Sequence, residues 1–137
     1  MPDAGSLRGS CLCGGVTFEV TEPFSRVSMC HCTTCKAISG GPGSATGRVP
    51  TDAIQILTGC ELITTYQPDE GTAKSFCSVC GSNLFGTGWP DSEVTGIRLT
   101  TLDEPFEGQA DMHIYARSVA PWETLPDDGL PRHETTP

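Results

Sequence analysis

The stretch FCSVCGS, residues 76–82, decides the fold because it has the pattern of a metal-binding knuckle. Its two cysteines, Cys77 and Cys80, are separated by two residues and followed by Gly81. The turn between such cysteines points both sulfur atoms at one ion, and glycine lets backbone amides approach the sulfurs. A structural zinc takes four ligands, so this knuckle requires two more from another part of the chain.

The other six cysteines fall into a pair, a triplet and a single residue. They are Cys11 and Cys13 in SCLCGG, Cys30, Cys32 and Cys35 in CHCTTC, and Cys60. Either the pair or part of the triplet could complete the knuckle. If the pair does, the triplet is left with three sulfurs, and three protein ligands with an open fourth position is typical of catalytic zinc. Cys60 could still close that position, although a free thiol near a turn is the simpler interpretation.

His31 lies inside the triplet and is the other candidate for a fourth ligand. Neighbouring side chains of a strand point to opposite faces, so His31 would face away from Cys30 and Cys32. We therefore expect it at the surface or behind the ligands. His113 is expected to be a hydrogen-bonded sheet residue.

Composition limits the class of protein. The chain has 137 residues, enough for one domain, and its 11 prolines and 16 glycines suit short strands joined by turns. The net charge of −9 argues against nucleic acid as a partner. We expect no membrane segment, no signal peptide and a cytoplasmic location, where reduced cysteines favour metal over disulfides.

The hydrophobic pattern predicts an all-β fold, a sandwich or open barrel, with at most one short helix over 33–39. Segments 52–59 and 61–67 are predicted to form a hairpin. The longest predicted strands are 93–102 and 111–118, with Met112, Ile114 and Ala116 on one face of the latter.

The predicted domain covers residues 7–125, between an N-terminal tail of residues 1–6 and a C-terminal tail of residues 126–137. We expect the C-terminal tail to be partly docked, through Leu125 and Leu130. Trp89 and Trp122 are expected in core or edge packing. The acidic pairs, such as Asp127–Asp128, are expected in solvated loops.

Four segments together resemble the glutathione-dependent formaldehyde-activating enzyme family, which includes the centromere protein V domain. They are GSCLCGGVTFEV, CHCTTCKAISGG, FCSVCGSNLF and DMHIYARSVAPWETLPDDGLPRHE, in the family's order and spacing. The resemblance implies a fold of stacked antiparallel sheets stapled by zinc. It implies two zinc ions per chain: a structural one on Cys11, Cys13, Cys77 and Cys80, and a catalytic-type one, which could be labile, on Cys30, Cys32 and Cys35.

The implied activity is that of an S-(hydroxymethyl)glutathione synthase, a carbon–sulfur lyase type of enzyme. The expected partners are a small thiol, with glutathione the leading candidate, and formaldehyde or another small aldehyde. Two alternatives stay open: a non-catalytic zinc-stapled module for protein interaction, and a zinc enzyme of the same fold with another small substrate. Lys36, Gly43, Lys74 and Cys60 depart from the common family pattern, and the sequence leaves the oligomeric state open.

Overall fold

The computed structural model describes residues 6–137 and is dominated by short β-strands. The strands are β1 (Leu7–Ser10), β2 (Thr17–Val20), β3 (Arg26–Cys30), β4 (Ser44–Pro50), β5 (Ile54–Thr58), β6 (Ile63–Tyr66), β7 (Lys74–Cys77), β8 (Asn83–Gly86), β9 (Val94–Arg98) and β10 (Met112–Ile114). The α-helix of the described residues, α1, is Thr33–Ser39. The predicted all-β class, with one short helix over 33–39, is confirmed.

Within residues 6–137 the strands form two sheets. The smaller has the order β1-β2-β5, and the larger has the order β10-β3-β4-β9-β8-β7-β6. Paired strands are antiparallel except β10 and β3, which run parallel. The expectation of antiparallel sheets therefore fails at one edge of the larger sheet, where β10 lies beside β3.

The hydrophobic core lies between the two sheets. Phe18 on β2 is fully buried, as the alternation of that strand predicts, and it packs edge-to-face on Phe85 of β8, with ring centroids 5.1 Å apart. Val20, Leu84 and Ile97 are also fully buried in this cluster. Each such side chain stabilises the fold by about 1.5–3 kcal/mol relative to leaving it exposed.

The predicted hairpin over 52–59 and 61–67 is wrong. β5 pairs with β2 in the small sheet, whereas β6 pairs with β7 in the large one. Gly59 adopts the left-handed conformation, with φ of 77°, and residues Cys60–Leu62 form a 3₁₀ turn. These two features turn the chain from one sheet to the other instead of folding it back on itself.

The strand predicted over 111–118 is also too long. β10 ends at Ile114, because Tyr115 takes a left-handed backbone conformation with φ of 56° and a 3₁₀ turn follows. Ala116 therefore does not share a strand face with Met112. Similarly, β9 ends at Arg98 and continues as a 3₁₀ turn rather than as a strand to residue 102.

The C-terminal segment lies alongside β10. The His113 amide donates to the Pro131 carbonyl at 2.8 Å, and the His133 amide donates to the His113 carbonyl at 2.9 Å. Leu125 and Leu130 are half-buried. Docking of this segment was expected to depend on the two leucines. Main-chain hydrogen bonds to β10 also hold it in place.

The two tryptophans differ. Trp89 packs on Phe85 with ring centroids 5.0 Å apart, as expected for core or edge packing. Trp122 is 75% exposed, so the expectation of packing is wrong for it.

Candidate metal centres and adjoining cavity

The first cluster contains Cys11, Cys13, Cys77 and Cys80, whose sulfur atoms all lie within 4.8 Å of one another. The sulfurs of Cys11 and Cys13 are 3.5 Å apart, and those of Cys13 and Cys77 are 3.9 Å apart. A tetrahedral zinc with zinc–sulfur bonds of ~2.3 Å needs sulfurs roughly 3.8 Å apart. The donor set therefore fits a closed structural zinc site.

Two tight turns build this cluster. Gly14 and Gly81 both have left-handed backbones, and their amides donate to the carbonyls of Cys11 and Cys77, at 3.0 and 2.8 Å. The Val16 amide donates to the Cys11 sulfur at 3.2 Å. The Ser82 hydroxyl lies 3.2 Å from the Cys80 sulfur, and this hydrogen bond is the main reason that the pKa of Cys80 falls to about 5.

The second cluster contains Cys30, Cys32 and Cys35, again with their sulfurs within 4.8 Å of one another. Cys30 ends β3, Cys32 is the N-cap of α1, and Cys35 lies in the first turn of that helix. The Cys35 amide donates to the Cys32 sulfur at 3.3 Å, and the Thr34 hydroxyl lies 3.2 Å from it. The strand end and the helix start thus hold three sulfurs around one point.

Negative charge is shared unequally within this second cluster. Hydrogen bonds from the Cys30 and Cys35 thiols, with Thr34 and the Cys35 amide, lower the pKa of Cys32 well below its usual range. The pKa of Cys30 is raised, mainly by its hydrogen bond with Cys32 and to a lesser extent by its hydrogen bond with Cys35. A bound divalent cation would favour the deprotonated form of all three, because metal ligation requires thiolates.

Among the described residues, neither Cys60 nor His31 belongs to the triplet. Cys60 is exposed in its 3₁₀ turn and stands apart from both clusters. The side chain of His31 is buried, with 5% exposure, and its ring contacts His113 rather than a cysteine cluster. The prediction that His31 does not join the cluster agrees with this structure, whereas a surface location for it is wrong.

His31 begins a buried chain of polar side chains. Its Nε2 lies 2.9 Å from Nδ1 of His113, and Nε2 of His113 lies 2.7 Å from the Asp128 carboxylate. The hydrogen bond with His113 lowers the pKa of Asp128, while burial lowers the pKa of His31. Asp128 is exposed in a loop, as expected, but its carboxylate also anchors the C-terminal segment to a buried histidine.

A cavity of about 270 Å³ adjoins the triplet. One wall carries four basic side chains, Arg26, Arg48, Lys74 and Arg98, which we term the cationic wall. They are half of the eight lysines and arginines in a chain of net charge −9, and no acidic side chain is among the described residues that line the cavity. The triplet also lines the cavity, together with Thr34, Ile114 and Tyr115.

Strand register explains the cationic wall. Arg26, Ser28 and Cys30 alternate along one face of β3, and Arg48 and Thr46 lie opposite Arg26 and Ser28 on β4. Arg98 lies opposite Thr46 on β9. The sequence analysis did not predict the arginines, although the four-residue spacing of Arg26 and Cys30 in RVSMC already places these two residues on one face of a strand.

Two of the positions that depart from the family pattern lie outside this cavity. Lys36 donates from Nζ to the Ser118 carbonyl and is not among the described residues that line the cavity. Gly43 lies close to β3, where an added Cβ would meet the Cys30 carbonyl oxygen. Lys74, in contrast, is buried in the cavity wall and donates to the Thr72 hydroxyl at 3.1 Å.

None of the helices among residues 6–137 has the length and apolar character needed to cross a membrane. The two sheets, with one cluster of four cysteines and one of three, define a class of small β proteins able to hold two metal ions. The chain belongs to the glutathione-dependent formaldehyde-activating enzyme family, whose model matches residues 6–118. The resemblance seen in the sequence is thereby confirmed.

Individual relatives agree with this family. A Halomonas elongata protein, provisionally named a glutathione-dependent formaldehyde-activating enzyme, is 34% identical over 96 residues, which are 62% of this chain and 59% of that protein. A Talaromyces marneffei protein with the same provisional name is 27% identical over 78 residues, 56% of this chain and 42% of its own. The chain therefore spans about half the length of these relatives.

A solved structure shows the same fold. The crystal structure of a Rhodobacter sphaeroides protein superimposes with a TM-score of 0.60, at 23% identity, over 76% of this chain and 97% of that chain.

Proposed function

We propose that the chain joins a small thiol to a small aldehyde at the three-cysteine cluster, with glutathione and formaldehyde the leading pair. The observation that carries the proposal is the triplet itself. Three cysteine sulfurs face one point, the fourth ligand position is filled by no described histidine, cysteine or carboxylate, and a cavity opens beside them. Three ligands with a free position is typical of catalytic rather than structural zinc.

In the proposed reaction the sulfur of the thiol adds to the carbonyl carbon of the aldehyde. One sulfur–carbon bond forms, the carbonyl π electrons pass to oxygen, and the thiol proton ends on that oxygen, so the product is a hemithioacetal. A zinc ion held by Cys30, Cys32 and Cys35 would supply a Lewis acid that lowers the pKa of a thiol. In reverse, the same step is a carbon–sulfur lyase reaction.

The protein's own groups hold the cluster ready for this chemistry. The Cys35 amide and the Thr34 hydroxyl contact the Cys32 sulfur, so this thiolate is fixed in one orientation at the start of α1. Cys30 and Cys35 are buried, which keeps bulk water from two of the three sulfurs. Half-buried Cys32 faces the cavity, where a substrate can enter.

The four-cysteine cluster has a structural role in this proposal. It joins the loop after β1 to the end of β7, and so links the small sheet to the large one. Since its four sulfurs would supply all four ligands of a tetrahedral zinc, this cluster would leave no position for a substrate.

The test compares Cys32→Ser with Cys60→Ser, which replaces a cysteine outside both clusters. We expect the Cys32 variant to lose about one zinc ion of two per chain and at least ~100-fold of its adduct formation, and the Cys60 variant to match the wild type. Zinc is measured by atomic emission and adduct formation by exchange NMR of formaldehyde with glutathione. Two zinc ions and full activity in Cys32→Ser would refute the proposal.

The same assay addresses the non-catalytic alternative. A module that only binds a protein partner would not accelerate formaldehyde exchange even as the wild type with two zinc ions bound, and it would bind neither formaldehyde nor glutathione. A zinc enzyme with another substrate would show metal loss in Cys32→Ser but no exchange with glutathione even in the wild type.

A further inference from the structure

We propose that the cationic wall is a carboxylate-binding subsite, which makes the three-cysteine site selective for thiols that carry carboxylate groups. The inference rests on the proposed function for the identity of the reacting group, a thiol. It adds the residues that determine which thiols bind, namely Arg26, Arg48 and Arg98, with Lys74.

The four cations of the wall have no anionic partner among the described residues. In the described part of the chain, none of the four forms an ion pair, and neither Arg26 nor Arg48 donates a side-chain hydrogen bond. Arg98 is only 5% exposed; its Nη1 donates to Ser44 and Thr46, while its Nε and Nη2 have no partner. Buried charges are normally paired, so this arrangement calls for an anion from outside the chain.

Arg26 on β3 lies directly opposite Arg48 on β4. Like charges facing each other on neighbouring strands destabilise a sheet. Burial, and then the nearby Arg48, lower the pKa of Arg26, although Asp111 opposes this effect. A carboxylate between the two guanidinium groups would turn this repulsion into two charge-assisted contacts.

The distance from the triplet to the cationic wall also fits a thiol that carries carboxylates. Residues that face one another on neighbouring strands form rows across the large sheet. The row next to that of Cys30 contains Ser28, Thr46 and Arg98, and the row after it contains Arg26 and Arg48. At ~3.3 Å per residue, these rows lie roughly 7 Å and 13 Å from the Cys30 row. In glutathione six bonds separate the sulfur from the glycine carboxyl carbon and eight separate it from the γ-glutamyl carboxyl carbon, spans of roughly 7 Å and 10 Å when extended. The two carboxylates of a thiol bound at the triplet therefore fall between the Cys30 row and the row of Arg26 and Arg48, within the cationic wall.

The size of the cavity limits the substrate further. At about 270 Å³ it is near the lower end of the range for small-molecule pockets, ~300–1,000 Å³. A compact thiol with one or two carboxylates fits these limits, whereas a long peptide or a bulky aromatic thiol does not. A small neutral thiol would fit but would leave the cationic wall unpaired.

The test uses S-methylglutathione and its diethyl ester, which share a skeleton and lack a free thiol. Isothermal titration calorimetry of the zinc-loaded protein should show that the acid binds at least ~10-fold more tightly than the ester, since hydrogen bonds to charged groups are strong. Arg48→Gln should reduce that preference about tenfold. Arg8→Gln is the matched control, because it removes the same charge from an exposed position on β1, and it should keep the preference.

Equal affinity for acid and ester in the wild type, or no measurable binding of either, would overturn the inference. It would also be overturned if Arg48→Gln weakened acid and ester equally, since the arginines would then only balance the charge of the cysteines. Arg26→Gln repeats the test at the facing position, and Arg98 is left intact because it also bonds Ser44 and Thr46.

These outcomes are independent of the reaction, because neither compound can add to an aldehyde. A carboxylate preference without formaldehyde exchange would retain the subsite and refute the proposed function. Formaldehyde exchange without a carboxylate preference would do the reverse.

Discussion

Removing the four-cysteine link should cost the protein most of its stability. The double variant Cys13→Ser/Cys80→Ser takes one sulfur from each side of the cluster. Cys13 is exposed and Cys80 is half-buried, so the hydrophobic core stays filled. The two remaining sulfurs are too few to hold zinc as a closed four-ligand site.

The size of the effect follows from the chain length that the link closes. Cys13 and Cys77 are 64 residues apart in the sequence. Treating the metal link as a crosslink, the loop-entropy relation gives a loss of about 4 kcal/mol in the free energy of unfolding. Domains of this size have roughly 5–15 kcal/mol in total, so the variant should be marginally folded.

Denaturant unfolding under reducing conditions, with zinc measured on each sample, provides the assay. Cys60→Ser is the matched control and should change the free energy of unfolding by less than about 0.5 kcal/mol. If the double variant unfolded at the wild-type midpoint, or kept the wild-type zinc content, the assignment of this cluster as the structural link would be refuted.

Three further predictions concern the sheet, a turn and the C-terminal segment. Arg26→Gln removes one of two facing like charges and should raise the free energy of unfolding by about 0.2–1 kcal/mol, measured in denaturant, while carboxylate binding weakens; a fall in stability would contradict this. Gly59→Ala should cost about 1–3 kcal/mol, because Gly59 has a φ of 77° and an added Cβ would meet the Gly15 carbonyl oxygen; an unchanged denaturation midpoint would count against it. The lowered pKa of Asp128, caused by its hydrogen bond with a buried histidine, means that this contact stabilises the fold above the unfolded-state pKa of ~3.9 and is lost as pH falls below it. Wild type should therefore be more stable than Asp128→Asn at pH 6 and lose that difference near pH 2, and a difference independent of pH would refute this explanation.

The cysteine clusters and the helix could be predicted from sequence because their information is local. A C-x-x-C or C-x-C spacing brings two sulfurs together whatever the rest of the chain does. Segment 33–39 lies between an N-capping residue, Cys32, and Gly40, which takes the left-handed conformation at the C-cap. The resemblance to the family then implied that Cys11 and Cys13 share one site with Cys77 and Cys80.

The cationic wall could not be predicted because its members meet only through long-range strand pairing. Arg26, Arg48 and Arg98 lie on three strands whose register the sequence does not state. The contact of His113 with Asp128 likewise depends on how the C-terminal segment returns past β10. In each case the residue type was visible, but its neighbours were not.

The wrong hairpin has a related cause. Segments 52–59 and 61–67 have the apolar content of strands and lie close together in sequence, which favours a hairpin. The left-handed Gly59 and the 3₁₀ turn after it instead redirect the chain. Pairing with β2 and β7 buries Ile54, Ile56 and Ile63 at least partly against the core, which a separate hairpin would leave uncovered.

The most direct test of the central claim is the rate of exchange between free formaldehyde and its glutathione adduct, measured by NMR with the zinc-loaded wild-type protein. Catalytic amounts of protein should accelerate this exchange well above the rate in buffer, and Cys32→Ser should abolish the acceleration. An exchange rate equal to that in buffer, from protein carrying two zinc ions per chain, would contradict it.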